Sequence, residues 1–447
     1  MTMRNNRVRP VAGVLWILLY VAIVIAPLFI MLVGPRPEGR PFLRDFSVAM
    51  AFCAMSVVGL QFVLTARIPS LKSPFGSDVV YYFHHRVSVV AVTLVVLHVL
   101  VLGLADRGTW RLLAFWSAPT RARFAVAALV CLLALVLVSI FRKRLRLEYI
   151  AWRITHGLFA MGAAAFAMTH MQLVGIYLSL PWKRFLWAVY SAIWIGALAY
   201  ARVVLPLLMK LRPYEVESIR DERGSAWTLR LRPVGHAGAK FAPGQFAWIT
   251  VARSPFADLE HPFSYSSSAS NPGAPSFTIK ATGDFTGKIA GLDIGTRVYV
   301  DGPFGAFSMD RRPAARQLVF VAGGIGITPI MSMLRTMRDR EDERACSLLY
   351  AARSLDEMTF REELEALQGD LNLQLHLIPT VADEAWGGLS GRMGPGMLAE
   401  LMPPGWRGGD CEIFVCGPPP MMDAVEESLV GIGVPLQQIH TERFDLA

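Results

Sequence analysis

The chain is poor in cysteine, and its cysteines follow no functional pattern. The five cysteines among 447 residues include no CxxC pair and no spacing typical of a plant-type iron–sulfur cluster. They give no support to a disulfide framework either. Low-complexity linkers are missing as well. The sequence therefore argues against a ferredoxin-type cluster domain and against a disulfide-stapled fold.

Charge is sparse and unevenly placed. Only 18% of the residues are charged, 53% are hydrophobic, and the mean hydropathy is +0.41, which is too apolar for a wholly soluble chain. Nearly all of the apolar excess lies before about Arg212. The formal charge of +9 comes from basic residues at the ends of apolar segments rather than along one soluble face. We therefore predict that the chain interacts with the lipid bilayer and does not bind nucleic acid.

Six apolar segments before Arg212 are long enough to cross a bilayer. They run at roughly 11–33, 45–66, 79–104, 121–141, 151–178 and 182–208. The first segment lacks a small-residue cleavage site, so we predict that it is retained. Basic residues flank alternate ends of the segments, which predicts that both ends of this region are cytoplasmic. We expect a multi-pass protein of the cell (inner) membrane whose soluble remainder lies in the cytoplasm.

Four histidines occupy matched positions in the third and fifth segments. His84 and His98 are fourteen residues apart, and so are His156 and His170. Fourteen residues make about four helical turns and about 21 Å of rise, so the histidines of each helix share one face at two depths. This geometry is typical of two stacked bis-histidine haems, whereas zinc would favour closer ligands. His85 is a second candidate beside His84, and packed histidines are the structural alternative.

The remainder of the chain has the pattern of a soluble α/β protein. Short β-rich runs separated by glycine, proline and aspartate turns follow residue 213, as in a small antiparallel barrel. Beyond about Arg312, strands alternate with helical stretches, which predicts a parallel doubly wound sheet. We predict a multi-domain membrane protein with a six-helix transmembrane bundle at 1–212, an antiparallel β-barrel domain at 213–312 and an α/β doubly wound domain at 313–447.

A glycine-rich turn, GGIGITP, lies between a predicted strand and a predicted helix. Its glycines would let the backbone approach a pyrophosphate, and the helix N-terminus would favour the negative charge. Thr328 is predicted as the N-cap and Pro329 as the first helical residue. A turn that binds no ligand is the alternative.

Two further stretches have the chemistry of a redox site. In HPFSYSSS, Phe263 offers a flat face to a flavin ring, Ser264 a hydrogen bond near the flavin N5 atom, and His261 a polar group to the phosphates. In CGPPPM, Cys416 follows a strand, at the end where open sheets bind ligands, and its thiol is predicted to lie near a reacting nicotinamide. The alternatives are a serine-rich loop without function and a buried structural cysteine.

The motifs HPFS, GGIGITP and CGPPPM, in this order behind two histidine pairs, carry a family resemblance. The soluble half resembles the ferredoxin–NADP reductase superfamily, and nearly the entire chain is similar to the membrane ferric reductase and NADPH oxidase family. The resemblance implies FAD, NADPH and two b-type haems as cofactors. It places His84 and His156 at an inner haem and His98 and His170 at an outer one. The residues it implies for the flavin and the nicotinamide nucleotide are His261, Pro262, Phe263, Ser264, Lys280, Gly283, Thr286, Gly323, Gly324, Gly326, Thr328, Cys416, Gly417 and Pro418.

The same resemblance implies a transmembrane oxidoreductase. Electrons would pass from cytoplasmic NADPH through FAD and both haems to O2 or a ferric chelate on the far side, with delivery to a partner protein as the alternative. Ser264, Cys416 and Phe444 are the predicted catalytic residues, and Phe444 would stack on the flavin ring unless it only anchors the tail. Arg353 and Ser354 follow the second strand of the nucleotide fold and predict NADPH over NADH, a surface arginine being the alternative. The chain has no EF-hand loop or docking segment, so no obligatory regulatory subunit is expected.

Overall fold

The computed structural model describes residues 8–33, 41–68, 77–257, 260–382, 386–403, 406 and 409–443. The chain divides into two compact units, of which the first extends to Val204 and the second begins at Leu205. The three-domain division with boundaries at 212 and 312 stays a prediction.

The first unit is made of long apolar helices. The described residues include five helices long and apolar enough to cross a membrane, whereas the apolar part of the first helix, Gly13–Phe29, is shorter. Helices are therefore found at all six predicted segments, but six spanning helices are not confirmed. The helices are α1 Val8–Leu32, α2 Phe42–Thr65, α3 Ser77–Ala105, α4 Thr120–Ile140, α5 Tyr149–Val174 and α6 Pro181–Ala199.

Local sequence fixes the ends of these helices. Helix α5 stops at Gly175, whose φ of 63° is left-handed and favours glycine, and whose N–H donates to the Met171 carbonyl. Helix α6 begins with Pro181, which has no N–H to leave unpaired in a first turn. It continues through a π-helical turn at Tyr200–Val204 into α7, Leu205–Leu211.

Helix packing in the first unit is uneven. Helices α4 and α5 lie side by side, and α2 contacts both α1 and α6. An aromatic cluster around the fully buried Trp187 joins α2 to α6. Helix α3, in contrast, makes no comparably close backbone packing with another described helix.

After α7, the second unit contains a six-stranded antiparallel barrel. Its strand order is β4-β3-β6-β1-β2-β5, and a bridge between Tyr265 and Phe277 joins the two edges. Strand β2 alternates buried leucines with exposed arginines, as expected for a strand with one face in a core. The strands are β1 Tyr214–Glu222, β2 Ala226–Pro233, β3 Phe246–Val251, β4 Glu260–Ser264, β5 Ser276–Lys280 and β6 Arg297–Phe304.

A five-stranded parallel sheet follows, in the order β11-β10-β7-β8-β9. Strand β7 is almost wholly buried because helices cover both faces of the sheet, α8 and α9 on one and α10 and α11 on the other. The predicted doubly wound fold is confirmed. Its elements are β7 Gln317–Gly323, α8 Ile327–Asp339, β8 Ala345–Ala352, α9 Arg361–Asp370, β9 Leu373–Pro379, α10 Pro395–Leu401, β10 Cys411–Cys416, α11 Pro419–Gly431 and β11 Ile439–Glu442.

Candidate functional site

A cavity of about 520 Å³ opens at the carboxyl ends of strands β7, β8 and β10. This is the edge at which doubly wound sheets bind nucleotides. The glycine turn after β7 and the CGPPPM turn after β10 both contribute to its wall. Among the predicted residues, Lys280, Gly323, Gly324, Arg353 and Pro418 line the cavity.

The glycine turn is shaped by two steric requirements. Gly324 has a φ of 52°, in the region where a side chain is disfavoured. At Gly326 a Cβ would lie 2.3 Å from the Cys416 carbonyl oxygen, so only glycine allows β10 and the start of α8 to approach this closely. Gly326 and Gly417 are absent from the cavity lining. The structure thus gives Gly326 a packing role.

The predicted N-cap at Thr328 is wrong. Helix α8 begins at Ile327 with Gly326 as its N-cap, because a 3-10 turn at Gly324–Gly326 starts the helical winding earlier. The Thr328 hydroxyl donates to the Ile325 carbonyl at 2.7 Å and does not cap the helix. Thr328 is 2% exposed, and it stabilises the turn from inside.

Positive charge gathers in the cavity. Lys280, Arg353 and Arg392 all line it, together with one carboxylate, Glu357, which lies 3.7 Å from the Lys280 ammonium. Ser354 is not part of the lining. Arg392 and Glu357 escaped the sequence analysis because they come from loops that no motif marks. The cations suit the phosphates of a nicotinamide nucleotide.

Cys416 ends strand β10, as predicted, and is fully buried. Burial, and after it the nearby Glu442 carboxylate, raise the pKa of the thiol well above its ordinary value. Glu442 is paired with Cys416 across β10 and β11 and is itself 4% exposed. The thiol is therefore neutral at physiological pH. Glu442 is a candidate that the sequence analysis missed.

The HPFS stretch forms strand β4 and lies against an aromatic partner. The His261 ring stacks on Phe285 with 4.0 Å between ring centroids and 22° between planes, and the Phe263 ring lies 6.1 Å from Phe285 and 6.4 Å from His261. Pro262 pairs with Trp248 on β3. The Ser264 hydroxyl is 4% exposed and has no hydrogen-bond partner among the described residues. A buried, unpaired hydroxyl beside aromatic rings fits the flavin donor predicted here.

Gly283 and Thr286, two other residues predicted to bind the flavin, form hydrogen bonds with each other. The Thr286 hydroxyl accepts hydrogen bonds from the Thr282 and Gly283 N–H groups at 3.0 and 2.9 Å and donates to the Gly283 carbonyl. This closes the GDFTGK loop on itself. Phe444 lies outside the described residues.

Two of the four histidines of α3 and α5, His84 and His156, form a close ring pair. His84 and His156 have ring centroids 6.4 Å apart, which leaves room for one metal ion held at roughly 2 Å by a nitrogen of each ring. His98 interacts electrostatically with His170. His85 is exposed, so the structure favours His84 as the partner of His156. No group of three or more metal-binding side chains occurs among the described residues, and a haem with two axial imidazoles requires none.

Every one of the four imidazoles has its Nδ1 atom in a hydrogen bond. The partners are Gln61 Oε1 for His84 at 2.6 Å, the Ser47 carbonyl and hydroxyl for His98 at 2.9 and 2.8 Å, Ser139 Oγ for His156 at 3.1 Å and the Arg121 carbonyl for His170 at 2.8 Å. Engagement of Nδ1 leaves Nε2 as the ligating atom in each ring. The donor set therefore fits two bis-histidine haems.

Comparison with known proteins identifies both halves. Residues 50–168 match the family model described as "Ferric reductase like transmembrane component", and residues 320–427 match "Oxidoreductase NAD-binding domain". The chain has the fused architecture of the ferric reductase and NADPH oxidase type. The chain thus joins a region similar to ferric reductase transmembrane components to a domain similar to the NAD-binding domain of oxidoreductases.

Curated relatives include bacterial reductase components. The electron transfer component of xylene/toluene monooxygenase from Pseudomonas putida is 32% identical, with 46% of this chain and 57% of the relative aligned. The reductase component of propane 2-monooxygenase from Rhodococcus jostii is 31% identical, over 48% and 59%. The reductase subunit of glycine betaine monooxygenase from Chromohalobacter salexigens is 33% identical, over 46% and 56%. The chain thus matches a little over half the length of each relative.

Proposed function

We propose that this ferric reductase-like chain takes electrons from NADPH in the cytoplasm and delivers them to O2, giving superoxide, or to a ferric chelate on the far side of the membrane. FAD and two b-type haems are the proposed cofactors. The observation that carries the proposal is the pairing of four histidines, each with Nδ1 engaged, on the same chain as a cationic nucleotide cavity.

The bound groups would supply hydride acceptance and single-electron transfer across the apolar layer. The chain's own residues bind and orient them. The glycine turn and the N-terminus of α8 favour a pyrophosphate, and the two cavity arginines favour a further phosphate. Ser264 would donate to the flavin from a buried position, while His261 and Phe285 form an aromatic wall. The Cys416 thiol is fully buried and absent from the cavity lining, so it would influence a nicotinamide only through the turn that follows it.

In the first unit, the histidine imidazoles would bind and orient the haems. The hydrogen bond at Nδ1 fixes the proton there, so that Nε2 keeps its lone pair and its direction. Two neutral imidazoles per iron suit electron transfer without an open coordination position. The proposed metal ligands are His84 with His156 and His98 with His170.

A second candidate function is electron delivery to a partner protein. The three relatives are named as an electron transfer component, a reductase component and a reductase subunit of monooxygenases. A chain that serves a partner in this way would hold the same cofactors and accept electrons from the same nucleotide. It would differ only in the acceptor.

Absorbance spectra of the purified full chain, with and without NADPH, test the proposal. We expect flavin and haem absorption, reduction of both by NADPH, and turnover with O2 or ferric citrate. Reduction without turnover would favour the partner protein. A chain that holds no haem after expression with ample haem would contradict both functions.

A matched pair of variants sharpens this test. His84→Ala should lose one haem, because His84 pairs with His156, whereas the exposed neighbour His85→Ala should keep both. Loss of haem from His85→Ala alone would move the ligand to residue 85.

A further inference from the structure

The two histidine pairs differ in what holds their Nδ1 atoms. Each of His98 and His170 has a backbone carbonyl at Nδ1, that of Ser47 at 2.9 Å and that of Arg121 at 2.8 Å, and His98 Nδ1 also lies 2.8 Å from the Ser47 hydroxyl. The Nδ1 atoms of His84 and His156 instead contact side chains, Gln61 of α2 and Ser139 of α4. Backbone carbonyls survive any substitution, whereas these side chains can be exchanged one at a time.

The Gln61 amide fixes the tautomer of His84. An amide oxygen only accepts, so the 2.6 Å contact between Gln61 Oε1 and His84 Nδ1 requires the proton on Nδ1. The Nε2 atom of His84 then carries the free lone pair that a metal needs.

Ser139 imposes the same tautomer on His156. Its only hydroxyl proton goes to the Leu135 carbonyl at 2.8 Å. The same oxygen accepts from Trp152 Nε1 at 3.3 Å. At 3.1 Å from His156 Nδ1 it can therefore only accept, and the proton again lies on Nδ1.

Gln61 keeps this arrangement although one end of its amide is unsatisfied. Its Nε2 atom is buried and has no hydrogen-bond partner among the described residues. A buried donor without a partner is unfavourable, and a leucine of similar size would avoid it. The oxygen end, which contacts His84, is therefore the part of the side chain with a function.

We propose that Gln61 and Ser139 are positioning residues that set the donor strength of His84 and His156, and thereby the reduction potential of the haem between them, independently of the other haem. The inference rests on the proposed function. An acceptor at Nδ1 draws the proton away from the ring, which makes the imidazole a stronger electron donor. A stronger donor stabilises the oxidised metal and lowers its potential.

Spectroelectrochemical titration of the full chain in detergent, without any electron acceptor, tests the proposal. Gln61→Leu removes the acceptor and should raise one of the two midpoint potentials. Gln61→Glu offers a stronger acceptor and should lower the same one. Ser139→Ala should raise that potential too, and it remains informative if Gln61→Leu does not fold. In all three variants the second midpoint potential should stay at its wild-type value.

Thr93→Val is the matched control. Thr93 lies on α3 between its two histidines, and its hydroxyl donates to the Val89 carbonyl of the same helix. Both potentials should be unchanged in this variant.

Three results would overturn the inference: no shift in any variant, equal shifts of both potentials, or shifts of the same sign in Gln61→Leu and Gln61→Glu. General damage to the bundle has no reason to produce shifts of opposite sign. Failure of the proposed function would look different, because wild-type protein would then show no haem to titrate.

Discussion

Arg353 and Arg392 line the nucleotide cavity together, so a 2′-phosphate bound there would meet two guanidinium groups. We predict that Arg353→Ala and Arg392→Ala each raise the KM for NADPH about tenfold, equivalent to about 1.4 kcal/mol, with little change for NADH. Steady-state oxidation of both cofactors by the full chain measures this. Arg316→Ala is the control, because Arg316 does not line the cavity and its side chain is 86% exposed. Equal losses with both cofactors would remove the basis for NADPH preference.

Burial gives Cys416 a testable pH behaviour. Because burial and Glu442 raise the thiol pKa in the folded chain, the stability that the neutral thiol contributes is complete below the ordinary thiol pKa of about 8.5 and is lost as the pH rises above it. We predict that iodoacetamide leaves Cys416 unlabelled in native protein up to about pH 9, whereas urea-unfolded protein is labelled increasingly above about pH 8. Mass spectrometry of the Cys416 peptide gives the labelled fraction. Native labelling near neutral pH would instead indicate an accessible thiolate.

Among individual residues, the sequence analysis predicted site residues that lie in recognisable motifs and missed residues that only the tertiary fold places at the site. Gly324 and Arg353 follow strands directly and were placed at the cavity. Arg392 comes from a loop that reaches the cavity only through tertiary topology, so no local signal marks it, whereas Phe285 was missed although it lies between the predicted residues Gly283 and Thr286. The Thr328 error has a local cause, because a 3-10 turn before α8 moved the N-cap to Gly326.

Between elements, Arg335 of α8 connects the five-stranded parallel sheet to the barrel. Its guanidinium donates twice to the Glu363 carboxylate of α9, at 2.7 and 2.6 Å, and once to the Ser266 carbonyl at 2.7 Å. Burial opposes ionisation of Glu363, but the hydrogen bonds from Arg335 prevail and lower its pKa. Arg220 of β1 adds a second cation at 3.7 Å. This cluster connects three elements and resists their separation.

We predict that Glu363→Gln costs about 1–3 kcal/mol of unfolding free energy, because the substitution leaves Arg335, 13% exposed, without a counter-charge. Thermal unfolding of the full chain followed by flavin fluorescence measures the loss. Because the Glu363 pKa is lowered, the contribution is present above the ordinary carboxyl pKa of about 4.3 and disappears as the pH falls through the folded value.

Glu365→Gln is the control for this substitution. Glu365 forms an exposed pair with Arg361 on the same helix, and such pairs contribute roughly 0.3–0.5 kcal/mol. Equal destabilisation by the two substitutions would show that the cluster is no stronger than a surface pair.

Secondary structure followed from the sequence where periodicity was strong. The run AWTLRLRP coincides with β2, and QLVFVAG coincides with β7. The sequence analysis did not predict the π-helical turn at Tyr200–Val204 in the sixth apolar segment, although Pro206, which has no N–H for helical hydrogen bonding, follows it closely. It also gave no strand order, since the barrel pairs β6 with both β1 and β3 across long connections.

At the scale of the whole molecule, the proposed function needs both units on one chain. The second unit holds the cationic cavity, and the first unit holds the four histidines of α3 and α5. Electrons from a two-electron donor must be divided before they cross an apolar layer of about 30 Å. Loss of the second histidine pair should therefore interrupt transfer to the acceptor without affecting the nucleotide reaction.

We predict two haems per chain, because the four histidines form two pairs with all Nδ1 atoms engaged. His98→Ala and His170→Ala should each reduce the haem content from about two to about one in a pyridine haemochrome assay. NADPH should still reduce the flavin at the wild-type rate under anaerobic stopped-flow conditions, because that reaction takes place in the soluble unit. His85→Ala should retain both haems and serves as the control. One haem or none in the wild type, or loss of flavin reduction in a folded His98 or His170 variant, would show that the order of the electron path is wrong.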